Sequence, residues 1–424
     1  MAQLTDDCFA FSGPLMPLET MERLIAERIA PVAETEMVPL AQARGRVVAR
    51  DAIAPVDLPP FDNSAVDGYA VRHADVAAEG ETRLAVRGRL TAGTRAVNAV
   101  GPGEAVRIFT GAPMPPGADT VFMQEDVEAD GDTVVVPSGL AKGANRRLAG
   151  EDIEADSVAL AAGTVLGPSQ IALAAALGLT AIEVRRRLRV AIFSTGDEVV
   201  EPGAPRPAAA IFDANRVLLG ELLARIGAEV TDLGILPDDV ERLTTSLASA
   251  GRTNDVVLTS GGVSTGEADR VRNAVERIGR MVFWRIGIKP GRPVAMAVLP
   301  GATAQDGAAF VGLPGNPVAV FVTFVRVVRP LLLRLAGARA QPLTALPVRV
   351  GFVYRKKTGR REYVRVSLRR AADGEFEAVK YPQDGAGVLT SLTQTDGLLE
   401  LADDVTQIAP GDRAGFLSYA ALIG

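Results

Sequence analysis

The sequence predicts a multidomain protein of the α/β plus β class, built on a doubly wound α/β domain with β-rich units before and after it. Three observations carry that expectation. Between residues 187 and 338, strand-like apolar runs alternate with amphipathic stretches of helical length. Between 55 and 152, short β-like runs are divided by Gly and Pro clusters, with no good long helix between them. After Gly337 helical patterns disappear and only short strand-like runs recur. A chain of 424 residues has material for about two to four domains.

Taken in order, Leu18, Met21, Leu24, Ile25 and Ile29 fall at helical spacing, and Arg46–Ile53 reads as a strand before the break at Pro55, Pro59 and Pro60. The next unit offers strands at Tyr69–Arg72, Leu84–Leu90, Ala105–Phe109, Thr120–Gln124 and Thr133–Val136. More helical neighbours on both sides mark it as an insertion. The α/β unit then alternates strand Arg189–Phe193, helix Ala214–Ile226, strand Val230–Leu236, helix Val240–Ala250, strand Asp255–Thr259 and helix Arg270–Ile278. Strands at Met281–Ile286, Val294–Val298 and Phe310–Leu313 follow, and one long helix closes it. Val348–Tyr354, Tyr363–Leu368, Phe376–Lys380, Leu398–Leu401 and Gly415–Tyr419 read as the terminal strands. The basic run Arg355, Lys356, Lys357, Arg360, Arg361 reads as a solvated hairpin or the border of an anionic ligand's entry.

Composition narrows the function. Hydrophobic residues at 48% and charged residues at 23% fit a soluble globular protein. A formal charge of −6 argues against a nucleic-acid partner. One cysteine, Cys8, and one histidine, His73, exclude a disulfide framework, a thiolate zinc site and an imidazole cluster. A metal would then be held by oxygen ligands, which points to Mg²⁺. Met1–Pro17 lacks the pattern of a signal peptide, and no stretch reaches ~18 uncharged apolar residues. A cytoplasmic protein without a membrane partner is expected.

Ligands of open α/β sheets bind at the carboxyl ends of the strands. The loops there are Ser194–Glu198, Pro237–Asp239, Ser260–Asp269, Lys289–Pro293 and Leu313–Pro317, all rich in Gly, Ser, Thr, Asp or Pro. After Ser260, the pair Gly261-Gly262 lets backbone N–H groups turn inward, and Ser264 and Thr265 add hydroxyls before a helix. Lys289 and Arg292 suit a phosphate or oxyanion. Asn316 and Pro317 fit the cap and first turn of the closing helix, while Pro314-Gly315 would make a rigid wall beside a ligand. Asp197, Glu198, Asp238 and Asp269 each suit a turn or a cap singly. Converging, they would hold Mg²⁺ beside substrate phosphates. Upstream, Phe61–Val71, with Asp67 beside Gly68, is more elaborate than a turn requires; Thr110–Pro113 and Gly150–Asp152 add polar turns to the same unit.

Phe61–Val71 resembles the MoeA signature Phe-Asp-Asn-Ser-x-x-Asp-Gly-Tyr-Ala. Thr110–Pro113, Gly150–Asp152, Ser194–Glu198, Ser260–Asp269, Lys289–Pro293 and Leu313–Pro317 resemble that family's other motifs, in its order and over nearly the whole chain. The resemblance implies an elongated helical linker and dimerisation domain (14–54 and 153–186), the inserted β-rich domain (55–152), a molybdopterin-binding, MogA-like α/β domain (187–338) and a C-terminal β domain (339–424). It implies a homodimer whose active site lies between the α/β domain of one subunit and the inserted domain of the other. The implied reaction takes adenylylated molybdopterin and molybdate to molybdenum-loaded molybdopterin and AMP, assisted by Mg²⁺, with other cofactor-synthesis proteins as candidate partners. By motif, Asp67, Thr110, Glu198, Asp238 and Asp269 are the expected catalytic residues, and Asp67, Glu198, Asp238 and Asp269 the expected metal ligands. Substrate contacts are expected from Asp152, Arg147, Thr195, Gly196, Ser260, Gly261, Gly262, Ser264, Lys289, Arg292, Pro314, Gly315, Asn316 and Pro317.

Two departures concern anion contacts. Ala319 stands where many relatives have Ser. In Asn145–Gly150, Arg146 replaces a commonly apolar residue, and Leu148 and Ala149 replace commonly polar or basic ones. Two rival readings are a molybdopterin adenylyltransferase, which would not need the Phe61–Val71 motif, and a non-catalytic scaffold like the gephyrin E domain.

Overall fold

The computed structural model describes residues 15–94, 98–262, 270–279, 281–291, 294–302 and 307–423. Its first helix, α1 (Leu18–Arg28), buries Leu18, Met21, Leu24 and Ile25, the face that the spacing predicts. Glu19 in its first turn and Arg28 in its last complement the helix dipole. The expected division groups this helix with the linker, but its apolar face joins the core of the α/β unit, beside Leu331 and Leu335. Each such side chain contributes ~1.5–3 kcal/mol when withdrawn from water, and the linker offers no apolar layer of comparable depth.

The linker itself is less helical than expected. An antiparallel ribbon pairs Thr35–Pro39 with Ala181–Arg185, and a shorter one pairs Ala52–Ile53 with Val158–Leu160. Only α2 (Pro168–Ala176) is helical among the described residues 153–186, opened by Pro168 at a first-turn position. The expected strand Arg46–Ile53 is broken, because its backbone serves two neighbours: Val48 N–H donates to Thr164 and Ala49 N–H to Glu183. Only Ala52–Ile53 remains as strand.

The inserted unit is a six-stranded sheet in the order Thr120–Met123, Gly68–Val71, Glu104–Ile108, Glu81–Leu90, Thr133–Pro137, Glu128–Asp130. All five expected strands are present, shifted by one to three residues at their ends.

The α/β sheet runs Glu229–Leu236, Arg189–Thr195, Val256–Ser260, Gly307–Leu313, Val294–Pro300, Met281–Trp284. Its first four strands are parallel and its last two antiparallel. Alternate residues feed two cores. Val190, Ile192, Val256 and Leu258 face α3 (Ala214–Arg225), while Ala191, Phe193 and Val257 face α4 (Val240–Thr253) and α5 (Arg270–Ile278). Apolar residues on both faces of each strand are the mark of a doubly wound sheet. The single closing helix is in fact three pieces: α6 (Pro317–Thr323), a π-helical segment (Phe324–Val328) and α7 (Arg329–Leu335).

In the terminal unit, Arg361–Arg370, Phe376–Lys380, Leu346–Val350, Arg413–Ser418 and Gly397–Leu401 pair in sequence, and the last returns to the first, closing a five-stranded barrel. The expected strand Val348–Tyr354 is split into Leu346–Val350 and Tyr354–Arg355. Gly351 makes the turn between them, donating its N–H to Ala378. Two short helices, Thr390–Thr393 and Tyr419–Ile423, also form; neither spans two turns, too little for periodicity to register. Ile288–Lys289 of the α/β unit adds to this barrel in parallel with Arg361–Glu362. A strand that belongs by sequence to one unit is therefore hydrogen-bonded into the next.

Candidate active site

At the carboxyl ends of the parallel strands lies a cavity of about 300 Å³, lined by Ser194, Thr195, Glu198, Ser260, Gly261, Gly262 and Gly315 among others. Of the five loops expected to converge, 194–198, 260–262 and 313–317 contribute to this lining, and Pro237–Asp239 and Lys289 do not. Among the described residues the side-chain oxygens of Ser194 and Thr195 are buried without a hydrogen-bond partner. A buried hydroxyl left unpaired costs ~1–3 kcal/mol, so two in one cavity wall are unusual.

The glycines explain how the loops approach. Gly261 and Gly262 both take positive φ, +83° and +63°. A Cβ on Gly262 would lie 2.8 Å from Thr195 Cγ2 and 2.9 Å from Val271 Cγ2. One expectation needs correction: the Gly261 N–H does not turn toward a ligand but donates to Leu313, tying two loops together. Asn316 does stand at the start of α6, but its side chain makes no cap. The barrel loop performs that task, with Ala386 accepting the Val318 N–H at 2.9 Å. Pro317 occupies the first turn as expected, and Pro314 is half-buried beside the exposed Gly315.

Among the lining residues that escaped the sequence reading are Asp213, Asn215, Gly387 and Leu389. Asp213 caps α3 by accepting from Arg216 N–H, and Asn215 donates to the Gly315 carbonyl at 2.7 Å. The signal was present, since Asp-Ala-Asn-Arg before an apolar periodic run is an N-cap pattern. Arg216 is buried and joins Asp213, Asp232 and Glu201, three carboxylates from three segments. Arg216→Met would strand the buried Asp213 without a counter-ion. A loss of roughly 3 kcal/mol is expected, read from the urea midpoint; an unchanged midpoint would remove this ion cluster as a stabilising feature.

A second cluster forms in the inserted unit, where three distant motifs meet. Asn63–Ser64 pairs with Arg146–Arg147. Ser64 exchanges backbone bonds with Gly111 and Ala112, and Asp62 accepts from Ala149 N–H. Asp67 Oδ1 accepts from both the N–H and the hydroxyl of Thr110, at 2.8 and 2.7 Å. Those two bonds hold the Asp67 carboxyl below its ordinary pKa. Thr110 thus positions Asp67. Arg147 and Asp152 are exposed on the same unit, and Arg146 faces Asp62 at 3.8 Å.

A third site surrounds Lys289. Its ammonium pairs with Glu362 at 3.1 Å, at the wall of a cavity of about 390 Å³ that also includes Tyr354, Arg355, Arg365 and Lys380. Burial would raise the pKa of Glu362, but the hydrogen bonds from Tyr354 and Lys289 outweigh it and hold the carboxyl below its usual range. Lys289 is therefore not a free cation as the sequence suggested. Nor is the basic run a solvated hairpin. Lys356 is buried and donates to the Ala402 and Val405 carbonyls, and Arg361 pairs with Glu19 and Glu400. The loop carrying Gly385, Ala386 and Gly387 runs from this cavity to the first one.

Not every expected residue joins these clusters. Asp238 pairs with Arg270 at 3.1 Å and does not line the first cavity, and Asp197 is exposed. Ser264, Thr265, Asp269 and Arg292 lie outside the described residues. Among the described residues no three His, Cys, Asp or Glu side chains of one chain form a metal cage.

Comparison with known proteins agrees with this geometry. Residues 16–178 match the MoeA N-terminal region (domain I and II), 191–334 a probable molybdopterin binding domain, and 347–418 the MoeA C-terminal region (domain IV). A molybdopterin molybdenumtransferase of Haemophilus influenzae is 34% identical over 412 residues, covering 97% of this chain and 100% of that protein. The chain belongs to the MoeA family. Members of the MoeA family are transferases of molybdenum-cofactor biosynthesis. A second MoeA relative, from Nostoc, is 37% identical over 384 residues, 89% of this chain and 87% of its own. The crystal structure of the molybdopterin biosynthesis moeA protein from Pyrococcus horikoshii superposes with a TM-score of 0.77 at 30% identity, covering 96% of this chain and 100% of that one. Among the described residues no helix is long and apolar enough to cross a membrane.

Proposed function

We propose that this MoeA-family chain inserts molybdenum into molybdopterin, taking adenylylated molybdopterin and molybdate to molybdenum-loaded molybdopterin and AMP. The observation that carries this reading is the cavity at the sheet's carboxyl edge, whose lining includes Glu198 together with Ser194 and Thr195, both with hydroxyls that lack a partner among the described residues. The hydroxyls would donate to pyrophosphate oxygens, and the glycine turn would admit the nucleotide close to the backbone. The cationic cavity around Lys289, Arg355, Arg365 and Lys380 would take the remaining anionic groups, molybdate included.

The donor set tests the place of Mg²⁺. One chain supplies no three-carboxylate cage among its described residues, but Mg²⁺ commonly binds through one or two carboxylates plus substrate phosphates. Glu198 fits the first of these, and Asp67 of the partner subunit the second. Bound there, the ion would offset negative charge on the pyrophosphate as its P–O–P bond breaks. Glu198 would orient the attacking oxygen and Asp67 would fix the far side of the phosphate. This reading requires a homodimer, since the cavity lining includes no residue of the inserted unit of its own chain. We take the four-domain division expected from the resemblance as its framework, except that 16–32 packs with the α/β unit. A cytoplasmic location, and exchange of the pterin with other cofactor-synthesis proteins, complete the proposal.

The experiment incubates purified protein with adenylylated molybdopterin, Mg²⁺ and molybdate, and measures AMP. Molybdate-dependent AMP release is expected. Accumulation of adenylylated pterin from molybdopterin and ATP would instead make the protein an adenylyltransferase.

A further inference from the structure

Far from those loops, between α1 and α7, lies a cavity of about 360 Å³ whose lining includes Arg326, Arg329, Arg334 and Arg339 but only one carboxylate, Glu22. Arg329 stands twelve residues beyond Pro317 along the closing helices, about 18 Å at 1.5 Å per residue, so this is not the candidate active site seen from behind. The arginines are unevenly satisfied. Arg334 gives its Nε to the Ile29 carbonyl at 2.8 Å. Arg326, only 7% exposed, reaches Glu22 at 3.3 Å through one terminal nitrogen and lies 5.8 Å over the Tyr363 ring. Among the described residues its Nε is buried with no hydrogen-bond partner, and so is the Nε of Arg329.

Burying a guanidinium nitrogen without an acceptor is costly. The chain nonetheless does so at the Nε of two arginines three residues apart, and a π-helical segment, Phe324–Val328, carries Arg326 and leads into Arg329. Such segments are uncommon and concentrate at functional sites, because the extra residue re-aims the side chains that follow. Burial and the neighbouring Arg326 both act to lower the Arg329 pKa, the direction expected of cations pressed together without a counter-ion. The rest of the wall is apolar, with Ile25, Ala26, Pro330, Leu333, Pro342 and Leu343. An inorganic oxyanion alone would leave most of that surface uncovered.

We propose that this cavity binds a small organic anion, a carboxylate or phosphate ester on an apolar body, with its oxygens on Arg326 and Arg329 and its body against the α1 and α7 side chains. The guanidinium fork matches either head group with two parallel hydrogen bonds.

Calorimetric titration of the full chain with phenyl phosphate, benzoate and inorganic phosphate tests this. At least one aromatic anion should bind saturably, at least tenfold tighter than inorganic phosphate, and should raise the melting temperature. Arg329→Leu should weaken that binding at least tenfold while the ligand-free protein melts no lower, since the change removes a half-buried cation set against Arg326. If the leucine variant does not fold, Arg329→Gln must show the same tenfold loss. The proposal is overturned if neither aromatic anion binds at millimolar concentration, if inorganic phosphate binds as tightly, or if the variants bind like the parent. A change in the mass of the assembly in Arg329→Leu without aromatic-anion binding to the parent would also overturn it, assigning the arginines to a protein interface.

Discussion

Asp67→Asn is expected to lower molybdate-dependent AMP release about a thousandfold, within the range that a positioned carboxylate contributes to catalysis. The substitution separates charge from placement. The Asn carbonyl can still accept from the Thr110 N–H and hydroxyl, as Asp67 Oδ1 does at 2.8 and 2.7 Å; what disappears is the negative charge offered by Oδ2. Melting behaviour should therefore stay near that of the parent. Full turnover in the Asn variant would take Asp67 out of the reaction. The pH dependence has a definite sign. Because the Thr110 bonds hold the folded carboxyl below its ordinary value, the group stays ionised throughout neutral and mildly acidic solution. Any stability it contributes is fully present above the unfolded pKa of about 3.9 and is lost only as pH falls through the lower folded value.

Gly262→Ala is expected to be strongly damaging. Its φ of +63° is unfavourable for alanine, and the new Cβ would lie 2.8 Å from Thr195 Cγ2 and 2.9 Å from Val271 Cγ2. Both neighbours are branched and buried, so neither can swing aside. Backbone strain of ~1–2 kcal/mol and overpacking of ~1–3 kcal/mol should add, and displacement of Thr195 should abolish AMP release. Gly261→Ala is the control. Its φ is +83°, yet nothing lies closer to the added Cβ than Gly315 Cα at 4.0 Å, so only the backbone strain should register. Equal destabilisation of the two variants in urea would show that steric contact with Thr195 and Val271 is not what demands a glycine at 262.

The contrast between these residues shows how far the sequence could be read. Strand loops at a sheet's carboxyl edge follow from periodicity and topology, so Thr195, Glu198, Ser260 and Gly262 were found where they stand. Pairwise partners were not legible. Nothing local says that Lys289 meets Glu362, 73 residues away, or that Asp238 is taken by Arg270. The same limit hid the Ala386 carbonyl that stands in for the Asn316 cap, because it comes from the barrel. The break in the closing helix did leave a signal, Pro330 in the first turn of α7, but the Val and Phe residues before it bury any register equally well and hide the inserted residue.

The two-residue strand Ile288–Lys289 has a mechanical consequence. It laces the α/β unit to the barrel by main-chain bonds, and Tyr363, Leu398 and Leu417 of the barrel share one apolar interior with Trp284 and Ile288. Those two units must rotate together as one block. The ribbons at Thr35–Pro39 with Ala181–Arg185 and at Ala52–Ile53 with Val158–Leu160 lie outside that block and close over a separate small core of Val38, Val48, Leu160, Leu166, Ile182 and Val184.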